Sequence, residues 1–124
     1  MNAFLLSTLL LDRQPRLKTP DSYPGISVLV AAYNEEAAIK DTLESLARQD
    51  YPGPVEVLVL NDGSGDDTVK LARSAIRKHG FKHNIKARIL DFKVNRGKSA
   101  VLNDGLAKAR HDFILTIDGD SWVK

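Results

Sequence analysis

The chain has 124 residues, 43% of them hydrophobic, which suffices for one domain with a buried core or for part of a larger one. Its 18 Lys and Arg against 16 Asp and Glu leave a formal charge of +2, too small a surplus to argue for a nucleic-acid partner. The absence of cysteine excludes disulfides, thiolate nucleophiles and cysteine zinc sites, and His79, His83 and His111 lack metal-ligand spacing and read as solvated helix-end or loop residues.

Residues Ala3 to Leu11 are apolar apart from Ser7 and Thr8, far short of the roughly 20 residues that a bilayer span needs. No Lys or Arg precedes them, as one would in a secretory leader. They suggest a short helix that packs on the domain, lies weakly on a membrane surface or is the remnant of a longer anchor, with packing the preferred reading. Residues 12–25, with Pro15, Pro20 and Pro24 among charged side chains, form a linker. The chain therefore divides into an N-terminal segment, 1–25, and a folded part, 26–124.

Beyond the linker, apolar runs alternate with helical patterns. Ile26 to Ala32 reads as a buried strand, and Asn34 after it is placed to cap a helix whose first turn carries Glu35 and Glu36. Ile39, Leu43 and Leu46 then recur at helical spacing, with Lys40, Glu44 and Arg48 on the other side, until Tyr51-Pro52-Gly53-Pro54 stops the helix. Val55 to Leu60 is the next strand, and it ends in the polar turn Asn61-Asp62-Gly63-Ser64-Gly65-Asp66. The helix after it has Val69, Ala72 and Ile76 on one face, Arg77, Lys78 and His79 in its last turn, and Gly80 as a left-handed stop. Ile85 to Leu90 mixes apolar and basic residues in near alternation, which predicts a strand with one wet face, nearer the sheet edge and ending at Asp91. After Asn95-Arg96-Gly97-Lys98-Ser99 comes a helix with Leu102, Leu106 and Ala109 on one side. Phe113 to Ile117 reads as a strand buried on both faces, and it breaks abruptly into Asp118-Gly119-Asp120.

Strands alternating with helices predict an α/β fold, a mainly parallel, Rossmann-like sheet with right-handed crossovers and helices on both faces. The carboxyl ends of the strands then share one rim, and Asn34 with Glu35, Asp62 to Ser64, Asp91, and Asp118 with Asp120 all follow such ends. Ligands of open α/β sheets bind at that rim, where the strand order switches. Asp118 and Asp120 on a tight turn can aim oxygens at one hard cation that also holds a diphosphate, although an Asp-Gly turn also simply ends strands. Arg96 and Lys98 stand where the free N–H groups of a helix favour an anion, so a phosphate fits there. Otherwise they continue the basic run of Lys78, Lys82, Lys86, Arg88 and Lys93, a solvated face. Gly97-Lys98-Ser99 does not end a P-loop, because Phe92 occupies the first glycine's place. Gly63-Ser64-Gly65 is a weak dinucleotide fingerprint, with Thr68 where the third glycine belongs.

Taken together, Val30-Ala31-Ala32-Tyr33-Asn34-Glu35-Glu36, Asn61-Asp62-Gly63-Ser64 with Asp66, Asn95-Arg96-Gly97-Lys98 with Leu102-Asn103, and Asp118-Gly119-Asp120-Ser121 resemble family 2 glycosyltransferases of the GT-A fold in both order and spacing. The nearest flavour is that of processive bacterial polysaccharide synthases, such as poly-N-acetylglucosamine or hyaluronan synthase. The resemblance covers Ile26 to Lys124 and implies a metal-dependent, inverting transfer from a UDP-sugar to a glycan or lipid-linked acceptor, in the cytoplasm or at the cytoplasmic face of a membrane. By position it implies that Tyr33, Asn34 and Glu35 border the uridine, with Glu35 near the ribose, and that Asp62 accepts a hydrogen bond from the uracil. Gly63 and Ser64 belong to the same nucleotide-sugar set, Lys98 approaches the nucleotide, and Asp118 lies by ribose and diphosphate. Asp120, with Asp118, is the expected ligand of Mg2+ or Mn2+. The family's catalytic base belongs to a later motif, so it is expected beyond Lys124, and this chain alone is expected to be inactive or nearly so. Asn61 departs from the second aspartate that many members carry. Two rivals stand beside this expectation: a haloacid-dehalogenase-type hydrolase, disfavoured by Trp122 where Thr or Val belongs, and a non-catalytic nucleotide-sugar-binding module.

Overall fold

Seven elements alternate along the chain in the computed structural model, which describes residues 19–78 and 80–124. They are β1 Ile26–Ala32, α1 Ile39–Ala47, β2 Val55–Asp62, α2 Thr68–Lys78, β3 Ile85–Phe92, α3 Lys98–Lys108 and β4 Phe113–Asp118. The apolar run 3–11, most of the linker and His79 lie outside the described residues. None of the described helices is long and apolar enough to cross a membrane.

The four strands form one sheet in the order β3-β2-β1-β4, and every pairing is parallel. The chain thus steps outward from β1 to β3, then returns to lay β4 on the other side of β1. That return is the switch in strand order, and it opens a crevice at the carboxyl ends of β1 and β4.

Alternation along the strands sorts the core into two layers. Val28, Val30 and Ala32 of β1 with Val57 and Val59 of β2 pack against Ile39, Leu43 and Leu46 of α1 and Ala72 and Ala75 of α2. On the opposite face, Leu29, Leu58 and Leu60 pack against Val101 of α3. Helices on both faces are the predicted arrangement, and the two central strands are buried as their β-branched runs require.

Three expectations need correction. β4 is not buried on both faces: it is an edge strand, and Phe113 and Leu115 are 60% and 48% exposed. Its apolar composition reads as interior, but strand order decides burial, and the crossover leaves β4 with a single neighbour among the described residues. β3, by contrast, has the edge position that its basic alternation predicts.

The first helix begins at Ile39 rather than directly after Asn34, and its N-cap position, Ala38, makes no side-chain capping bond. Asn34 adopts the left-handed conformation, φ 51°, and is drawn to the neighbouring loop instead. In α3 the buried stripe runs through Val101 and Gly105, not through Leu106, which is exposed. Gly105 is the reason: a Cβ there would lie 2.6 Å from Cδ1 of the fully buried Leu60, so the missing side chain lets α3 approach the sheet closely.

At the amino ends of the strands a buried carboxylate ties four segments together. Glu56 of β2 accepts hydrogen bonds from the Ser27 hydroxyl of β1 at 2.8 Å, from Arg88 Nε and Nη2 of β3 at 3.1 and 3.0 Å, and from the Arg110 N–H at 2.9 Å. Burial pushes this carboxyl's pKa up, but the Arg110, Ser27 and Arg88 donors outweigh it and hold the group below its ordinary value. Glu56→Gln should cost about 2 kcal/mol in chemical denaturation at neutral pH, the part-exposed Arg88 keeping the loss at the low end for a buried pair. A depressed folded pKa adds stability that is complete above the unfolded pKa and is lost as pH falls through the folded one. Wild-type stability should therefore decline as pH drops below the ordinary glutamate value of 4.5, and the decline should be shallower in Glu56→Gln.

Candidate functional site

The site begins where the β1–β4 ladder runs out. Asp118, the last residue of β4, stands opposite Ala31 in register. One residue on, the Gly119 N–H donates to the Ala31 carbonyl at 2.8 Å, so the backbone pairing continues into the acidic turn. The Gly119 carbonyl accepts the Thr42 hydroxyl of α1 at 2.8 Å, and the Ser121 N–H closes the turn on the Asp118 carbonyl at 3.0 Å. A Cβ on Gly119 would come within 3.1 Å of the Ala31 carbonyl and of Ala32 Cβ, which is why a side-chain-free residue sits between the two aspartates. Further along, Ser45 of α1 accepts the Val123 N–H at 3.2 Å. Thr42 and Ser45 are absent from the sequence-based candidates. Their signal was two hydroxyls three apart on the same helical face as Ile39, Leu43 and Leu46, and both are buried.

The loops after β1 and β2 brace each other through polar groups. Asn34 N–H donates to the Ser64 hydroxyl at 3.0 Å, Glu35 N–H to the Thr68 hydroxyl at 2.8 Å, and Gly65 N–H to the Asn34 side-chain carbonyl at 2.9 Å. Asp66 caps α2 through the Thr68 N–H at 3.0 Å and also accepts the Glu36 N–H. Desolvation raises the Asp66 pKa, but the Thr68 and Glu36 donors outweigh it and hold the pKa below the ordinary range. Asn61, the departure from the two-aspartate pattern, donates its amide to Asp91 at 2.8 Å, a bond that a second aspartate could not make in its ionised form.

Asp62 is buried, and both of its oxygens are engaged. Oδ1 accepts the Arg96 N–H at 2.7 Å and Oδ2 the Gly97 N–H at 2.9 Å, so this carboxylate fixes the loop that leads into α3. Lys98, the first residue of α3, is thereby aimed across the crevice, where its ammonium forms an ion pair with Asp118 Oδ1. Arg96 is engaged elsewhere, paired with Asp104 and stacked 5.2 Å above the Phe92 ring.

Tyr33, Glu35, Asp62, Lys98, Asp118 and Asp120 line one cleft of about 390 Å3. Gly63 and Ser64 line a neighbouring cleft of about 560 Å3, together with Asp66, Arg73 and Asp91. Asn34 lines neither and stands in the brace between the loops. The inner cleft is rich in carboxylate: desolvation, then Asp120, Asp118 and Asp66, push the Glu35 pKa up. Among the described residues no three His, Cys, Asp or Glu side chains form a ready-made metal cage. The two turn aspartates nevertheless offer hard oxygens on a fixed backbone, a donor set that suits a small divalent cation whose remaining ligands are waters and ligand oxygens.

Comparison with known proteins gives the same direction. Residues 27–124 match the family described as "Glycosyl transferase family 2". A poly-beta-1,6-N-acetyl-D-glucosamine synthase of Staphylococcus epidermidis is 37% identical over 99 residues, covering 80% of this chain and 22% of that protein. The chain spans 22–26% of the length of the curated relatives it matches. Among solved structures, S. aureus TarS 1-349 in complex with UDP-GlcNAc superposes with a TM-score of 0.70 at 30% identity, covering 81% of this chain and 28% of that one. The mannosyltransferase PcManGT of Pyrobaculum calidifontis, solved with GDP-Man and Mn2+, gives a TM-score of 0.71 at 28% identity, covering 95% and 35%.

The turn's dependence on α1 is directly testable. Thr42→Val keeps the buried volume but strands the Gly119 carbonyl, and it should cost about 1–2 kcal/mol in chemical denaturation, whereas Thr42→Ser should stay near wild type.

Proposed function

Since this chain belongs to glycosyl transferase family 2, we propose that residues 26–124 supply the donor and metal site of a GT-A enzyme. That enzyme transfers a sugar from a UDP-sugar to a glycan or lipid-linked acceptor, with inversion and with Mg2+ or Mn2+. The observation that carries the reading is the convergence of Asp62, Lys98, Asp118 and Asp120 on one cleft at the switch in strand order. Membership of this family removes the haloacid-dehalogenase-type reading.

In this proposal Asp120, with Asp118, holds the cation. When bound, such a cation would supply charge neutralisation to a nucleoside diphosphate leaving group. Tyr33, half exposed at the rim, and the Asn34-Glu35 turn border the nucleoside, with Glu35 by the ribose. Asp62 already accepts two backbone N–H groups, and a carboxylate has further lone pairs with which to accept the uracil N–H. Gly63 and Ser64 hold the β2 turn beside it, and Lys98 at the start of α3 approaches the diphosphate, where the helix has no side-chain cap. No residue of the cleft is given the role of catalytic base in this reading. In this reading the site works in the cytoplasm or at the cytoplasmic face of a membrane.

Donor binding follows from this reading and is measured by calorimetric titration of UDP with and without Mn2+ at matched ionic strength. Wild type should bind saturably only with Mn2+, and Asp120→Ala should weaken that binding at least about tenfold, as loss of a charged ligand oxygen implies. Metal-independent UDP binding, or none by the folded chain, contradicts the proposal.

A further inference from the structure

The inner cleft contains four carboxylates, Glu35, Asp62, Asp118 and Asp120, and one cationic side chain among the described residues that line it. That cation, Lys98, pairs with Asp118, one of the two aspartates assigned above to the metal. The pair is exposed, with side-chain accessibilities of 59% for Lys98 and 53% for Asp118, so it is weak and easily exchanged. Its two ends differ in freedom. Asp118 is fixed by the β1–β4 ladder and the clamped turn, whereas the Lys98 ammonium swings on a four-carbon stem. The pivot of that stem is fixed, because Asp62 holds the N–H groups of the two preceding residues. The same pivot is the first residue of an 11-residue helix whose N-terminus has no side-chain cap, so an anion arriving there meets the ammonium within reach.

We propose that Lys98 is a resident counter-ion of the metal site: without metal its ammonium neutralises Asp118, and a divalent cation arriving with a nucleoside diphosphate displaces it from Asp118 onto the diphosphate. This inference rests on the donor-and-metal reading above. The exchange leaves Lys98 paired both before and after binding, and it makes metal and nucleotide bind as a unit, since metal alone must displace the lysine without giving it a new partner. It also separates Lys98 from a simple phosphate contact, which has no influence on metal binding in the absence of nucleotide.

The test uses Lys98→Met, which keeps the stem and removes the charge, and Lys98→Arg, which keeps the charge. Free Mn2+ is followed by electron paramagnetic resonance without nucleotide, and UDP is then titrated at saturating Mn2+ by calorimetry. Relative to wild type, Lys98→Met should bind Mn2+ alone about threefold more tightly, the scale of one exposed ion pair, and should bind UDP about tenfold more weakly. Lys98→Arg should resemble wild type in Mn2+ binding. Mn2+ binding that is unchanged or weaker in Lys98→Met overturns the counter-ion role while leaving the donor site intact. If wild type with UDP binds no Mn2+, the donor-and-metal reading itself fails.

Discussion

The structure depends on one backbone hydrogen bond, from the Gly119 N–H to the Ala31 carbonyl. It carries the β1–β4 ladder one step beyond the last strand residue, so that Asp118 and Asp120 inherit the rigidity of the sheet rather than the looseness of a loop. Everything else at the rim is arranged around that fixed point. Thr42 holds the far side of the same peptide, and Glu35 approaches Gly119 closely because no Cβ intervenes. On the other side of β1, Asp62 steadies the loop that aims Lys98 back at Asp118.

Four acids of this chain contrast in what surrounds them. Glu56, Asp66 and Asp91 are held below their ordinary pKa values because N–H, hydroxyl or ammonium donors face them, and each joins separate segments of the fold. Glu35 is pushed up, by desolvation and by the neighbouring Asp120 and Asp118. The first kind is complete as it stands. Glu35 lies in the inner cleft with Asp62, Asp118 and Asp120, where one lysine is the local cation among the described residues. Four carboxylates facing one lysine on a rigid backbone are what a divalent cation and a diphosphate would complete together, and this is the physical link between the fold and the proposed donor site.

Much of this was legible in the residues. Alternating strands and helices gave the parallel sheet and its common rim, and the basic alternation of Ile85 to Leu90 gave an edge strand, because both are local patterns. The order of strands is not local. Phe113 to Ile117 has the composition of an interior strand, yet the return crossover puts it at an edge. Asn34 has the chemistry of a helix cap, but Gly65 and Ser64 from a loop about 30 residues away compete for it and prevail. The buried stripe of α3 was misplaced by one residue because Gly105, with nothing to bury, marks the close approach to Leu60 that large apolar side chains would have obstructed. Within the site, Glu35, Asp62, Asp118 and Asp120 converge on one cleft, whereas Gly63, Ser64 and Asp91 open onto the adjoining one and Asn34 lines neither. Asp62's backbone partners could not be foreseen, since they lie 34 and 35 residues away.

The most direct test of the account is where a paramagnetic ion settles. With isotopically labelled protein, saturating UDP and substoichiometric Mn2+, amide signals of residues 118–121, 31–35 and 95–99 should broaden most, with those around Glu56 at the opposite end of the strands unaffected. Broadening centred instead on Asp66 and Asp91 in the outer cleft, or spread without a centre, would contradict a donor site built on the Asp118–Asp120 turn.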